Sequence, residues 1–231
     1  MTKPTVDVQI WSDVMCPWCA IGGAQYARAL AEVGDEIEVT TRWMPFELNP
    51  DLPPEGKDQQ KHLAEVYQRS PEEVAAMRAQ MQERAASAGF AMDWSGANDS
   101  GGEEPAAWMW NTFEAHKLLR WALATAGPDA QTRLKVALLE AHFQKRRNVS
   151  DRAVLLDIAE SVGLDCAKAA EALADEALAV AVRAEEQRGR QAGINSVPSF
   201  VAAGKYLVQG AREPADYANI LRQVAGLVRN A

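Results

Sequence analysis

The sequence predicts an α/β protein whose small mixed sheet is assembled from both ends of the chain, with a long all-helical block inserted in its middle. Three observations predict this. Near both termini apolar residues alternate with polar ones, the periodicity of strands with one buried face. Between about 58 and 192 they recur at helical spacing almost throughout. The resulting order is β-α-β, helical block, β-β-α, so residues 1–57 and 193–231 supply two halves of one sheet and 58–192 form the insertion.

Val6, Val8 and Ile10 alternate and lead into Trp11, predicting a strand that ends near Asp13. A helix is expected from Pro17 to about Val33, with Ile21, Ala24, Tyr26, Ala27 and Leu30 at helical spacing and Gly34 as its stop. Ile37, Val39, Thr41 and Trp43 alternate again, and Pro45 with the Asn49 to Pro54 turn cluster closes that strand. The block that follows divides into five to seven helices at Ser70-Pro71, the Ser95 to Pro105 loop, Gly127-Pro128, Ser150-Asp151 and Gly163. Ser70 before Pro71 is a cap-then-proline start, and Ser150 reads as a second cap. Strands return at Pro198 to Val201 and Tyr206 to Val208 around an Ala203-Gly204-Lys205 turn. A last helix runs from about Pro214 to Val228 on an Ile220, Leu221, Val224, Leu227 stripe.

With 231 residues, 48% of them apolar, the chain is long enough to bury a sizeable core. A net charge of −8 argues against nucleic acid or an anionic membrane as main partner. No run of about 18 apolar residues is present. Met1 to Asp7 lacks the basic start and apolar stretch of an export signal, so a cytoplasmic protein is expected, as monomer or homodimer. Three cysteines, two of them in Cys16-Pro17-Trp18-Cys19, make a poor structural framework. In a reducing compartment such a pair points to redox or metal chemistry.

If the helix begins at Pro17, Cys16 is its N-cap and Pro17 occupies the first position, where a missing N–H does no harm. The free amides of that turn would then point at the Cys16 sulfur and favour its thiolate, as in cysteines that titrate at about 3.5 to 7.5 rather than about 8.5. Cys19, one turn on and more buried, would resolve a mixed disulfide on Cys16. Half of a zinc site is the other reading, but zinc needs two further ligands. Among Cys166, His62, His116 and His142 no two form a compact pair, so no metal site is expected.

Cys16-Pro17-Trp18-Cys19 after Trp11-Ser12-Asp13, the Pro45-Phe46-Glu47-Leu48-Asn49-Pro50 segment, Asn111-Thr112 with Ala115-His116, and Ser196-Val197-Pro198-Ser199-Phe200 together resemble the FrnE-like branch of the DsbA family. The resemblance spans nearly the whole chain. It implies a thioredoxin-like fold with a helical insertion, and disulfide exchange as the chemistry. It matches Cys16 to the attacking thiol, Cys19 to the resolving thiol and Pro198 to a proline preceded by a cis bond. Such a bond would turn the Val197 backbone toward Cys16, where an extended substrate segment could pair with it. No bound cofactor is implied. The redox group is the Cys16–Cys19 disulfide itself, the partners are protein or peptide thiols and disulfides, or small thiols, and glutathione is a candidate co-substrate. In one respect the chain departs from the pattern: thioredoxin and DsbA carry a buried acid six residues before the attacking cysteine, where Ile10 stands here. Asp13 is nearer, but its plain reading is a solvated strand end.

Other residues are weighed against plainer roles. Trp18, between the cysteines, should form an apolar rim, with Pro17 beside it. His116 is placed on a helix with Trp108, Thr112, Ala115 and Leu119, facing the cysteines by the resemblance, and Asn111 has the same standing. Cys166 reads as a small core residue, Trp108, Trp110 and Trp121 as core, and Glu103-Glu104 and Lys145-Arg146-Arg147 as solvated helix ends. Two other functions fit the pattern. One is a glutathione-dependent isomerase or transferase like 2-hydroxychromene-2-carboxylate isomerase or the kappa-class glutathione transferases, which typically carry Ser in place of Cys16. The other is a chaperone-like peptide-binding module. For the architecture, limited proteolysis should cut first in the glycine-rich Ser95 to Pro105 loop, and early cleavage within 6–12 or 197–208 would contradict a sheet built from both chain ends.

Overall fold

The computed structural model describes residues 3–53, 55–94 and 104–229. The four-stranded sheet has the order β2-β1-β5-β6. β1 (Thr5–Ser12) lies inside it, parallel to β2 (Glu38–Pro45) and antiparallel to β5 (Ser199–Ala202), which pairs antiparallel with β6 (Tyr206–Gln209). In register, Ile10 stands between Trp43 on one side and Phe200 on the other. The sheet therefore joins both ends of the chain, as the two alternating regions predict.

Because successive strand residues point to opposite faces, β1 sorts its side chains cleanly. Val6, Val8 and Ile10 enter a core with Tyr26, Ala29 and Val33 of α1 (Pro17–Val33) and Tyr217, Leu221 and Val224 of α8 (Pro214–Arg229). Trp11 points the other way, into a smaller cluster with Cys16, Cys19, Phe46, Ile194 and Val197. Ile10, in the place of the family's acid, is thus a fully buried core residue.

The middle block holds α2 (Gln59–Tyr67), α3 (Pro71–Ala88), α4 (Phe113–Phe143), α5 (Arg152–Ser161), α6 (Cys166–Ala174) and α7 (Glu176–Gln191). It is not purely helical: β3 (Lys57–Asp58) and β4 (Trp108–Met109) pair antiparallel. Ser70 caps α3 in a full capping box with Glu73, as its sequence promises. At α5 the cap is Asp151 rather than Ser150. Its carboxylate accepts from the Ala153 and Val154 amides, while the Ser150 hydroxyl turns to Asn148. α4 is interrupted at Gly127, before Pro128, where the sequence shows a break. It begins only at Phe113, so Trp108 is no part of it, and the indoles of Trp108 and Trp110 stack with centroids 5.5 Å apart. The loop expected to be cut first lies outside the described residues from 95 to 103.

Two contacts set the insertion against the sheet. Gly189 of α7 lies so close to Trp11 that a Cβ there would come within 2.3 Å of the indole. On the second half of α4, the fully buried Gln131 accepts from the Trp43 amide at 2.9 Å and donates to the Trp43 carbonyl at 2.8 Å. Trp43 lies on an outer strand, so this carboxamide satisfies backbone groups that no strand pairs. Replacing Gln131 by Leu leaves both groups buried and unpaired. At about 1 to 3 kcal/mol for each such group, the variant should lose about 2 to 6 kcal/mol in urea unfolding at unchanged slope, and unchanged stability would refute the clamp.

Candidate active site

Cys16 is the N-cap of α1, with extended backbone (φ −81°, ψ 117°) and Pro17 at the first helical position, as expected. Its carbonyl accepts the Cys19 and Ala20 amides at 3.0 and 3.2 Å. No first-turn amide makes a hydrogen bond of good geometry to the Cys16 side chain, although the Cys19 amide lies close enough to favour its thiolate. The sulfur turns instead to the other end of the chain and donates to the Val197 carbonyl at 3.7 Å. The Val197–Pro198 peptide is cis, and Pro198 sits against Gly22 of α1, where a Cβ would meet the proline ring at 3.0 Å. A side chain at position 22 would meet the proline ring more tightly than ordinary contact allows. Cys16 is 3% exposed, Cys19 not at all, and both are free thiols.

Below the sulfurs lies a set of ionisable groups. Asp13 is not a solvated strand end: it is fully buried, with its carboxylate accepting from the Leu48 amide at 2.8 Å and the Met15 amide at 3.3 Å. His116 brings Nε2 to 3.8 Å from Asp13, an ion-pair distance longer than a hydrogen bond. His116 therefore faces the aspartate. Burial raises the Asp13 carboxyl, but His116, the Leu48 amide and Lys135 outweigh it and hold the group below its ordinary value. Lys135, from α4, is fully buried, and among the described residues its side-chain nitrogen has no hydrogen-bond partner. That nitrogen lies 5.6 Å from the centroid of the Trp43 ring.

The two cysteines titrate as one unit. The Cys16 thiol is pushed well above its ordinary value by its hydrogen bond to Cys19 and by burial. Cys19, although burial raises it, is held below its ordinary value by the hydrogen bond from Cys16, by Lys135 and by the facing Ser12 hydroxyl. The pair shares its first negative charge, which the start of α1 and Lys135 both favour.

Beside this set, Glu47 is buried, and its backbone amide donates to Glu186 of α7 at 3.0 Å. Arg183 bonds both carboxylates, and Arg190 donates to the Glu47 carbonyl at 3.1 Å. Trp18 is 39% exposed, with the Arg84 guanidinium 5.8 Å from its ring centroid, and it forms the rim as expected. Pro17 lines a cavity of about 150 Å³ with Met15, Met77, Met81, Arg78 and Arg146. Asn111 is spent elsewhere, donating to the Pro50 carbonyl at 3.2 Å and accepting from the Phe113 amide at 3.0 Å. Cys166 opens α6, half-buried, and is not a core residue. Arg146 is no solvated helix end: it is 7% exposed and bonded to the Phe143 carbonyl and Glu104. Among the described residues no three Cys, His, Asp or Glu are placed to hold a metal ion together, and no helix is long and apolar enough to cross a membrane.

Sequence reasoning missed Lys135 and Gln131, yet a signal was present. Gln131, Lys135, Leu138 and His142 fall on one stripe of α4 with Leu134. Polar residues on an otherwise buried stripe are the anomaly that marks a site.

A Cys-x-x-Cys pair opening a helix on a mixed sheet, with an X-Pro turn against it and helices inserted in the chain, defines a thioredoxin-like α/β protein. The family model described as the DSBA-like thioredoxin domain matches residues 7–222, and the chain belongs to that family. It is similar to a probable DsbA oxidoreductase from Streptomyces coelicolor, with a TM-score of 0.80 at 30% identity, over 96% of this chain and 90% of that one. The uncharacterized protein YwbO of Bacillus subtilis is 28% identical over 208 residues, 90% of this chain and 91% of its own. A 2-hydroxychromene-2-carboxylate isomerase shares the fold at 13% identity, with a TM-score of 0.63 over 96% of each chain.

The Glu47 cluster generates a pH prediction. Burial and the neighbouring Glu186 push the Glu47 carboxyl up from 4.5 to about 7 against the pull of His116 and Arg183. Between those pH values the folded protein holds a proton that the unfolded chain has released. The stability this proton confers is complete below 4.5 and is lost as pH rises through about 7. A Glu47→Gln variant, which cannot ionise, should lose less of its melting temperature between pH 5 and pH 8 than the wild type. Equal losses would assign the titration to another group.

Proposed function

We propose that this protein is a thiol:disulfide oxidoreductase of the FrnE-like branch, acting in the cytoplasm on protein or peptide disulfides or on small thiols such as glutathione. One observation carries the reading: the Cys16 thiol, the outer of two free thiols at a helix start, points at the Val197 carbonyl ahead of Pro198. Cys16 attacks as the thiolate, which the start of α1 favours. An extended substrate segment takes over the Val197 carbonyl from the thiol, pairing as an added strand, while Trp18 covers its apolar side chains. Cys19 then attacks Cys16, closing the disulfide and releasing the reduced product.

The membership in a DsbA-like family and the likeness to the Streptomyces protein support this reading. The isomerase fold carries no such weight, because fold does not fix function. Turnover of a peptide disulfide should fall to background in Cys16→Ser. In Cys19→Ser the enzyme should stop at a mixed disulfide on Cys16, visible on a non-reducing gel. Retained activity in Cys16→Ser would indicate a glutathione-dependent isomerase or transferase, and peptide binding that survives loss of both cysteines without any turnover would indicate a chaperone-like module.

A further inference from the structure

The cavity of about 150 Å³ beside the cysteines has no part in the exchange described above, yet the attacking residue is built into its wall. Met15 and Pro17, the neighbours of Cys16 on either side, both line it. The Met15 sulfur accepts from the Trp110 amide at 2.8 Å, which fixes that part of the wall. Much of the remainder belongs to the helical insertion: Met77 and Met81 of α3, Met92 after it, Met109 of β4 and Phe143 at the end of α4. Met15, Met92, Met109 and Phe143 are buried, whereas Met77 is exposed, so an apolar floor opens outward at α3.

Two physical properties define what this space accepts. The first is size: an apolar cavity of about 150 Å³ binds benzene, so one aromatic or branched aliphatic side chain fills this one. Its methionines, being flexible and polarisable, let the wall adjust to side chains of different shape. The second is charge. In a chain of net charge −8, two arginines, Arg78 of α3 and Arg146, line this apolar space. The Arg146 guanidinium is held by the Phe143 carbonyl and by Glu104, at 3.0 Å each. Arg78 has no such hold. Among the described residues the acids that act on it are Glu104 and Asp58, and both are engaged, Glu104 on Arg146 and Asp58 in capping α2. Arg78 is half-buried, so its charge is neither fully hydrated nor paired. An anion at the edge of the apolar floor completes it.

We propose that this cavity is the recognition subsite for exchange at Cys16: it takes a large apolar side chain from the segment flanking the substrate's disulfide, and Arg78 binds a carboxylate on the adjoining residue. The inference rests on the redox reading above and gives its substrate a class, a peptide disulfide with an apolar-acidic pair near the cysteine. A peptide suits the space better than a small thiol, because glutathione offers carboxylates but no side chain to fill the floor. With its backbone at the Val197 carbonyl and a side chain anchored here, the substrate is held at two points, which orients its disulfide for attack. Bonds and electrons move as already described for Cys16 and Cys19.

The test mixes reduced enzyme with symmetric disulfides of short peptides in which Phe-Glu, Phe-Lys, Ala-Glu or Ala-Lys is set one to four residues from the cysteine. The released peptide thiol is followed by chromatography. At the best position Phe-Glu should react about tenfold faster than Ala-Glu, the scale of burying one large apolar side chain. It should react about fivefold faster than Phe-Lys, the scale of a charge-assisted bond at a half-exposed site. In Arg78→Glu the order of Phe-Glu and Phe-Lys should invert, and because the readout is a ratio within one enzyme, a variant of lower activity still reports it. Should that variant fail to fold, Arg78→Gln should bring the ratio to about one. Equal rates at every position in the wild type, or an acidic preference that persists in the Arg78 variants, would overturn the proposal and leave the redox reading intact. So would faster reaction of oxidised glutathione than of every peptide. If neither the peptides nor hydroxyethyl disulfide oxidises the wild-type pair, or if Cys16→Ser releases thiol equally, the redox reading itself fails, and the role of this subsite with it.

Discussion

The antiparallel pairing of β1 with β5, with Trp11 opposite Ser199 and Ile10 opposite Phe200, is the constraint on which the remaining structure depends. It holds together two segments far apart in sequence, so that Cys16 meets a carbonyl 181 positions away. Everything between has to leave the sheet after β2 and return before β5, and closing so long a loop costs entropy that only burial can offset. The insertion supplies that burial. Its own core of Leu118, Leu134, Leu138, Leu155 and Leu173 is fully enclosed, and a further cluster ties Ala20 and Ile21 of α1 to Ala85, Leu139 and Phe143.

The same packing produces the chemistry. A helix start at the end of a strand would, in water, leave the cysteines ordinary. Here α4 and α7 cover the inner side of the pair and remove solvent from Asp13, His116, Glu47 and Lys135. In that low-dielectric setting each charge acts strongly on its neighbours. Burying charges is costly, and the arrangement offsets the cost in two ways. Arg183 and Arg190 reach in from the surface to the Glu47 and Glu186 side, while Asp13 is satisfied by backbone amides. Among the described residues Lys135 has neither.

Gly22 and Gly189 show how far the sheet and the helices depend on one another. One admits Pro198 against α1 and the other admits Trp11 against α7. Neither position is called for by helical propensity, since glycine weakens a helix interior. Each exists because a bulky side chain from elsewhere needs the space.

Much was legible in the sequence. Alternation gave both halves of the sheet, and the Cys16-Pro17 step marked the start of α1 at its residue. Val197-Pro198 could be matched to the cysteines because the motifs resemble a family whose geometry is shared. These are local signals: strand and helix periods, capping and turn chemistry act within a few residues, so a short stretch of chain determines them. What the sequence could not determine is which groups lose their water. Asp13 read as a strand end and Arg146 as a solvated cation, and both are enclosed by what packs on them, while Trp108, read as helical core, lies exposed on β4. Burial and electrostatic partnership arise between residues remote in the chain, here between α4 and the ends of β1 and β2. Only the tertiary structure, by burying Asp13, His116 and Lys135 together and turning the Cys16 sulfur to Val197, decided the surroundings of the cysteine pair.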